Sequence, residues 1–317
     1  MSEVVLNATV NDLIKEVQQI HPGKIEFSYL DKSVGYLRHN QAQQYLADGH
    51  IKVDVYDQTA PNYTVSHELL HFILMFKGTP RISFNLTSGD RKLDEQLMIT
   101  ATELYDSVLH FVVYQQQRDR GLIDNQIEEL YFKGVLATLK PEPEGTTDQW
   151  MVLRTLTLFD TLVFFKDQLE VIIPKLEELY PNSLRAAQQL YAEATKKEIK
   201  TAFAMRRAVV KVWQLFDEQL QSWGLMKMHL NEFATLTAVL SERQSRLEVQ
   251  QLFGIYHSAF QDNLHFKDAY IGKFKSDGQN TFIFSEKNMD KKKQFADIYA
   301  MQTGTYLKKT GYPYLTR

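Results

Sequence analysis

Residues 64–72 read TVSHELLHF, and inside them stands His67-Glu68-Leu69-Leu70-His71. Val65, Leu69, Phe72, Ile73 and Phe76 recur at intervals of three and four between Pro61 and the stop at Gly78-Thr79-Pro80, so the stretch is expected to be a helix. On a helix, residues four apart share a face and lie about 6 Å apart along the axis, so His67 and His71 can turn their imidazoles to one ion. Glu68 projects roughly 100° away, where it reaches a water on that ion without becoming a ligand. A zinc held by the two histidines and one further residue keeps an open position, at which it acidifies water and polarises a carbonyl. Glu68 would accept the proton and return it to the leaving amine.

With nine histidines in 317 residues, such a pentapeptide arises by chance in roughly one or two sequences in a hundred of this length. A surface helix with ordinary polar residues is therefore the competing reading. The neighbours argue against it, because Val65, Leu69, Leu70, Phe72 and Ile73 keep the other sides apolar, where an unpartnered Glu and two His are costly to bury.

The composition narrows the chemistry. A 44% hydrophobic content suffices for a substantial core. The net charge of −3 gives no general basic field, so neither nucleic acid nor membrane is expected as a partner. No cysteine is present, which removes disulfides, thiolate nucleophiles and Cys-based metal sites; any metal must be held by His and carboxylate. The amino-terminal MSEVVLNATVNDLIKEV lacks the pattern of a secretory signal, and the location is read as cytoplasmic. The basic stretches KKEIK (196–200), MRRAVVK (205–211) and DKKK (290–293) are interleaved with acids and read as solvated faces. No phosphate-binding loop, dinucleotide fingerprint or serine elbow is found.

Around the motif, KIEFSYL and HIKVDVY read as strands of a small sheet, with Ile51, Val53 and Val55 alternating along the second. After it, RISFNL (81–86) suggests another strand. Ser88 or Asp90 can cap a long helix to about Gln117, stopped by Gly121. Residues 122–265 are helical in pattern, and MVLRTLTLFDTLVFF (151–165) reads as a buried helix interrupted by Arg154 and Asp160. AYIGKF and QNTFIF form a hairpin over 269–284, and a last helix runs near 289–309. The expected fold class is α+β: a zincin-like unit over 1–120, made of a short sheet, the motif helix and a ligand helix, then a mainly α-helical region over 121–317.

TVSHELLHFIL resembles the active-site helix of the zincin (HExxH) metallopeptidases. Together with the preceding strand, the break at Thr59–Asn62 and the downstream acidic helix, it is similar to the intracellular peptidase domains of the ImmA/IrrE type over roughly residues 45–115. The resemblance implies a zinc cofactor, a peptide or protein substrate and Glu68 as catalytic base. FILMFK after His71 lacks the third histidine of the metzincins, so the third ligand lies elsewhere. Gluzincin-like proteins take a glutamate from the following helix, and the candidates in LDEQLMITATELYDSVLHF are Glu95, Glu103, Asp106 and His110. Glu103 is the choice, with Asp106 orienting a histidine, although the pair makes ExxD and not ExxxD. Glu95 reads as part of a solvated helix start, and His110 as either core or site.

Tyr63, Tyr105, Tyr114 and His110 remain open as oxyanion stabilisers, and the other six histidines show no ligand spacing. Substrate is expected to pair with an edge strand near Ile51–Asp57. The expectation is a zinc metallopeptidase whose helical remainder shapes the cleft or binds a protein partner. The alternative is a non-catalytic interaction or regulatory protein with a metal-stabilised zincin-like unit.

Overall fold

The computed structural model describes residues 4–38, 40–285 and 291–317; His39 and Asp290 of the DKKK run lie outside them. The chain is mixed α and β, 53% helix and 18% strand, and its strand pairs are mostly antiparallel, which agrees with an α+β class. It divides into two units, residues 1–77 with 109–191, and residues 78–108 with 192–317. The chain thus passes out of the first unit and back, where the sequence suggested a single boundary near 120.

In the first unit, α1 (Ala8–Ile20) starts at Asn7, whose side chain accepts from the Val10 amide, and buries Val10, Leu13 and Val17. Strands β1 (Ile25–Tyr29), β2 (Ala42–Ala47) and β3 (His50–Val55) form a sheet in the order β1-β3-β2. β3 buries Ile51, Val53 and Val55, the alternation expected of it. It is the central strand, parallel to β1 and antiparallel to β2, so its backbone is paired on both sides. The expected substrate edge at Ile51–Asp57 is therefore corrected: the unpaired edges belong to β1 and β2. β2 escaped notice in the sequence, although Asp48-Gly49, both at positive φ, is the two-residue turn that joins it to β3.

Helix α2 (Pro61–Lys77) carries the motif, begins with a proline at its first position and stops at Gly78 with φ +93°. Helix α3 (Arg91–Asp119) starts at Asp90, which accepts from the Lys92 and Leu93 amides, and its second half returns to the first unit. Helices α4 (Asn125–Thr138), α5 (Met151–Phe165), α6 (Leu169–Leu179) and most of α7 (Pro181–Thr195) complete that unit. α5 is the buried helix expected, and its Arg154, fully buried, pairs with Asp148.

In the second unit, RISFNL splits into β4 (Ile82–Phe84) and β5 (Leu86–Thr87), which serve different sheets. Helix α8 (Ala202–Ser222) is held by Trp213, whose Nε1 donates to the Ala101 carbonyl. The helical expectation fails beyond it. Ala234–Leu236 (β6) pairs with β4, Val239–Leu240 (β7) with the last strand, and Phe253–Asp262 (β8) is a ten-residue strand. With β9 (Asp268–Phe274) and β10 (Asn280–Ser285), the expected hairpin, β8 and β5 form a four-stranded sheet. Phe253, Phe274 and Phe282 pack there with Tyr306 and Leu307 of the helix Thr303–Lys309. Arg206, expected on a solvated face, is buried and paired with Asp277. Among the described residues, no helix is long and apolar enough to cross a membrane.

Candidate metal centre

The first unit is the setting for the motif. Val65, Leu69, Leu70 and Ile73 bury the other sides of α2, which leaves His67 and His71 on the side that meets His110 of α3. The Nε2 atoms of His67 and His71 are 3.2 Å apart, and those of His71 and His110 are 3.1 Å apart. Among the described residues, these three form the one group of His and carboxylate atoms able to share an ion, all within 4.8 Å of one another.

His110 Nδ1 lies 2.5 Å from Asp160 Oδ1, and Asp160 Oδ2 accepts from the hydroxyls of Tyr114 (2.8 Å) and Tyr131 (2.6 Å). Burial pushes the Asp160 carboxyl up, but the His110 imidazole beside it and the hydrogen bonds from His110, Tyr131 and Tyr114 outweigh burial and bring it down to about 2. Burial, reinforced by the Asp160 charge, pushes Tyr114 and Tyr131 well up, so both keep their protons for this carboxylate. An ionised Asp160 keeps a proton on His110 Nδ1, which leaves Nε2 as the nitrogen that can offer a lone pair to a metal.

Burial favours the neutral form of His67 and of His71. Burial lowers His67 to about 3, helped by the neighbouring His110 and opposed by Asp160 and Gln117. Burial and then the other two histidines lower His71 well below its usual value. Three imidazoles thus converge, with their Nε2 atoms facing one another across His71. His71 Nε2 carries either one proton or one lone pair, so it makes at most one well-directed hydrogen bond to its two neighbours.

A cation at the centre of the group would take a lone pair from each ring. Two nitrogens of a tetrahedral zinc site stand about 3.3–3.4 Å apart, given Zn–N distances of about 2.0–2.1 Å. The observed 3.1 and 3.2 Å spacings lie close to that. Three imidazole nitrogens are a donor set that suits a borderline metal.

The structure brings His110, and not the expected Glu103, to His67 and His71. Glu103 is not in the group: it lies on the half of α3 that belongs to the second unit, seven residues and about 10 Å of helix from His110. Ser107 Oγ donates to the Glu103 backbone carbonyl, and the charge of Asp106 acts on Tyr105. Glu95 pairs with Arg91 at an exposed helix start, as expected. Glu68 is buried beside His67, at 9% exposure. Of the oxyanion candidates, Tyr114 is committed to Asp160, Tyr105 donates to the Pro80 carbonyl (2.7 Å), and His110 joins the metal group. The ring of Tyr63 lies 6.1 Å from that of His67.

Of the other histidines, His21 stacks on Phe76 and meets the Gly49 carbonyl, His50 accepts from the Lys24 amide, and His265 pairs with Asp262. In the sequence Asp160 reads only as an interruption of a buried helix and not as part of a site. The signal was an acid inside the apolar run FDTLVFF, which burial tolerates only with partners. Comparison of the chain with protein-family models, with curated proteins and with solved structures finds no match.

Proposed function

We propose that this protein is a zinc-dependent hydrolase of peptide bonds, with His67, His71 and His110 as the metal ligands and Glu68 as the general base. The observation that carries the reading is the convergence of three imidazole nitrogens, with the His110 ring held at Nδ1 by Asp160, next to a buried glutamate on the helix of His67 and His71. When bound, such an ion supplies Lewis-acid chemistry, polarising a carbonyl and acidifying water. The chain supplies the rest. Glu68 removes a proton from the attacking water and delivers it to the departing amine. Asp160 fixes His110, and Tyr114 and Tyr131 neutralise the second oxygen of Asp160 by hydrogen bonding. A peptide is favoured as substrate because HELLH resembles the motif of zincin peptidases, where a glutamate beside the first histidine serves amide hydrolysis.

Two measurements test the reading together. Metal analysis of the purified protein is expected to give about one zinc per chain, lost in His67→Ala, His71→Ala and His110→Ala. Glu68→Gln is expected to keep the metal while chelator-sensitive cleavage of unfolded protein and peptide libraries falls at least about 10²–10⁴-fold. Zinc retained in all three histidine variants sinks the centre, and equal cleavage by wild type and Glu68→Gln sinks the base. Metal binding without cleavage by either protein supports the non-catalytic alternative.

A further inference from the structure

Gln117 stands two turns beyond His110 on α3 and is completely buried. Its Nε2 donates to the Tyr63 carbonyl (3.0 Å) and to Ser66 Oγ (2.8 Å), while Ser66 Oγ itself donates to the Tyr63 carbonyl (2.9 Å). A carbonyl only accepts, and the single hydroxyl proton of Ser66 is already directed to it. The amide must therefore turn its nitrogen to this side, which prevents a flip and leaves Oε1 on the other. Tyr63 and Ser66 occupy the turn of α2 that leads into His67, so the anchors of the amide and the imidazole belong to one rigid element.

Two buried polar atoms here lack a hydrogen-bond partner, Gln117 Oε1 and His67 Nδ1. They are complementary: the first only accepts, and the second donates in the tautomer that bares Nε2. The Gln117 side chain is also near enough to His67 to act against the effect of burial on its imidazole.

We propose that Gln117 is a positioning residue for His67: its Oε1 takes the Nδ1 proton and so holds the Nε2 lone pair toward His71 and His110. This does for His67 what Asp160 does for His110, with a neutral group in place of a charged one. A neutral acceptor sets the tautomer without adding a second negative charge to a buried cluster, where a further charge is costly. The purpose of the arrangement rests on the metal-centre reading, but its test does not.

The experiment reads the His67 tautomer in metal-free protein with ¹⁵N-labelled histidine, by long-range proton–nitrogen correlation at neutral pH. Wild type is expected to carry the proton on Nδ1. Gln117→Met, of similar length and without an acceptor, is expected to give a mixture of tautomers, and Gln117→Glu to restore the wild-type one. Competition with a chromophoric chelator is expected to show zinc affinity about 10- to 100-fold weaker in Gln117→Met and mostly recovered in Gln117→Glu. If Gln117→Met does not fold, Ser66→Ala removes one anchor of the amide and is expected to give the same mixture. A proton on Nε2 in wild type, or an unchanged tautomer in the variants that lose the acceptor or its anchor, overturns the proposal. Should wild type bind no zinc, the metal reading falls, while the tautomer still decides the role of Gln117.

Discussion

Asp160 carries three hydrogen bonds on two oxygens, and removing it in different ways separates position from stability. Asp160→Asn keeps the volume but can no longer hold the His110 proton on Nδ1 by charge, so zinc affinity is expected to fall about 10- to 100-fold with little change in folding. Asp160→Ala also strands the hydroxyls of Tyr114 and Tyr131, each about 1–3 kcal/mol when buried and unsatisfied, and is expected to destabilise the protein as well. Glu103→Ala is expected to leave zinc affinity unchanged, and a chelator-competition titration of the three variants checks the set. A large loss in Glu103→Ala alone would return the third ligand to the glutamate. Two of the three nitrogens were legible because His67 and His71 stand four residues apart, a spacing that has meaning within one helix. His110 is 39 residues from His71, and Asp160 a further 50 along the chain, distances at which no periodicity operates. What could be read was the cost of each: a histidine and an aspartate on separate apolar helices, both needing a buried partner, found each other.

At the scale of elements, two glycines show why some of the fold could be read and some could not. Gly49 sits at φ +75° after Asp48 at φ +51°, and a Cβ there would meet nothing. Gly49→Ala is therefore purely a backbone effect and is expected to cost about 1–2 kcal/mol. Gly134, inside α4, should by helix propensity gain about 1 kcal/mol on becoming alanine. Its Cβ, however, would fall 1.6 Å from the Leu37 carbonyl oxygen, in a segment held to α4 by the Leu37 amide donating to the Leu130 carbonyl. Gly134→Ala is expected to destabilise by about 1–3 kcal/mol, since the obstacle is backbone and must move. Urea midpoints of the two variants decide both, and a Gly134→Ala protein as stable as wild type would refute the close approach. The Asp48-Gly49 turn was present in the sequence as a hairpin signal, whereas the need for glycine at 134 comes from a chain segment about a hundred residues earlier. The strand Phe253–Asp262 was missed for a related reason: its burial does not alternate, so the pairing partners β5 and β9 decide its state more than its own pattern does.

For the whole molecule, the informative fact is that His67, His71, His110, Asp160 and Gln117 all fall in the unit made of residues 1–77 and 109–191. The chain leaves that unit after Lys77 and re-enters it within α3, so the three histidines come from two segments with the other unit's residues 78–108 between them. An ion that binds the native site and not the unfolded chain stabilises what it binds, by about 2.7 kcal/mol at a free concentration one hundred times Kd. The gain is confined to whatever opens together with the site, because cooperative units open with separate free energies. Zinc is therefore expected to slow amide exchange in α2, in the second half of α3 and in α5, and to leave β8, β9 and β10 at their metal-free rates. Hydrogen exchange followed by mass spectrometry, with and without zinc, makes the comparison, and the His110→Ala protein supplies the control in which zinc slows nothing. Slowing confined to the first unit would mean that the two units open independently and that the histidines act as one centre. Equal slowing in both would mean that they unfold as a single cooperative body, and slowing of the second unit alone would place the ion somewhere other than the three histidines.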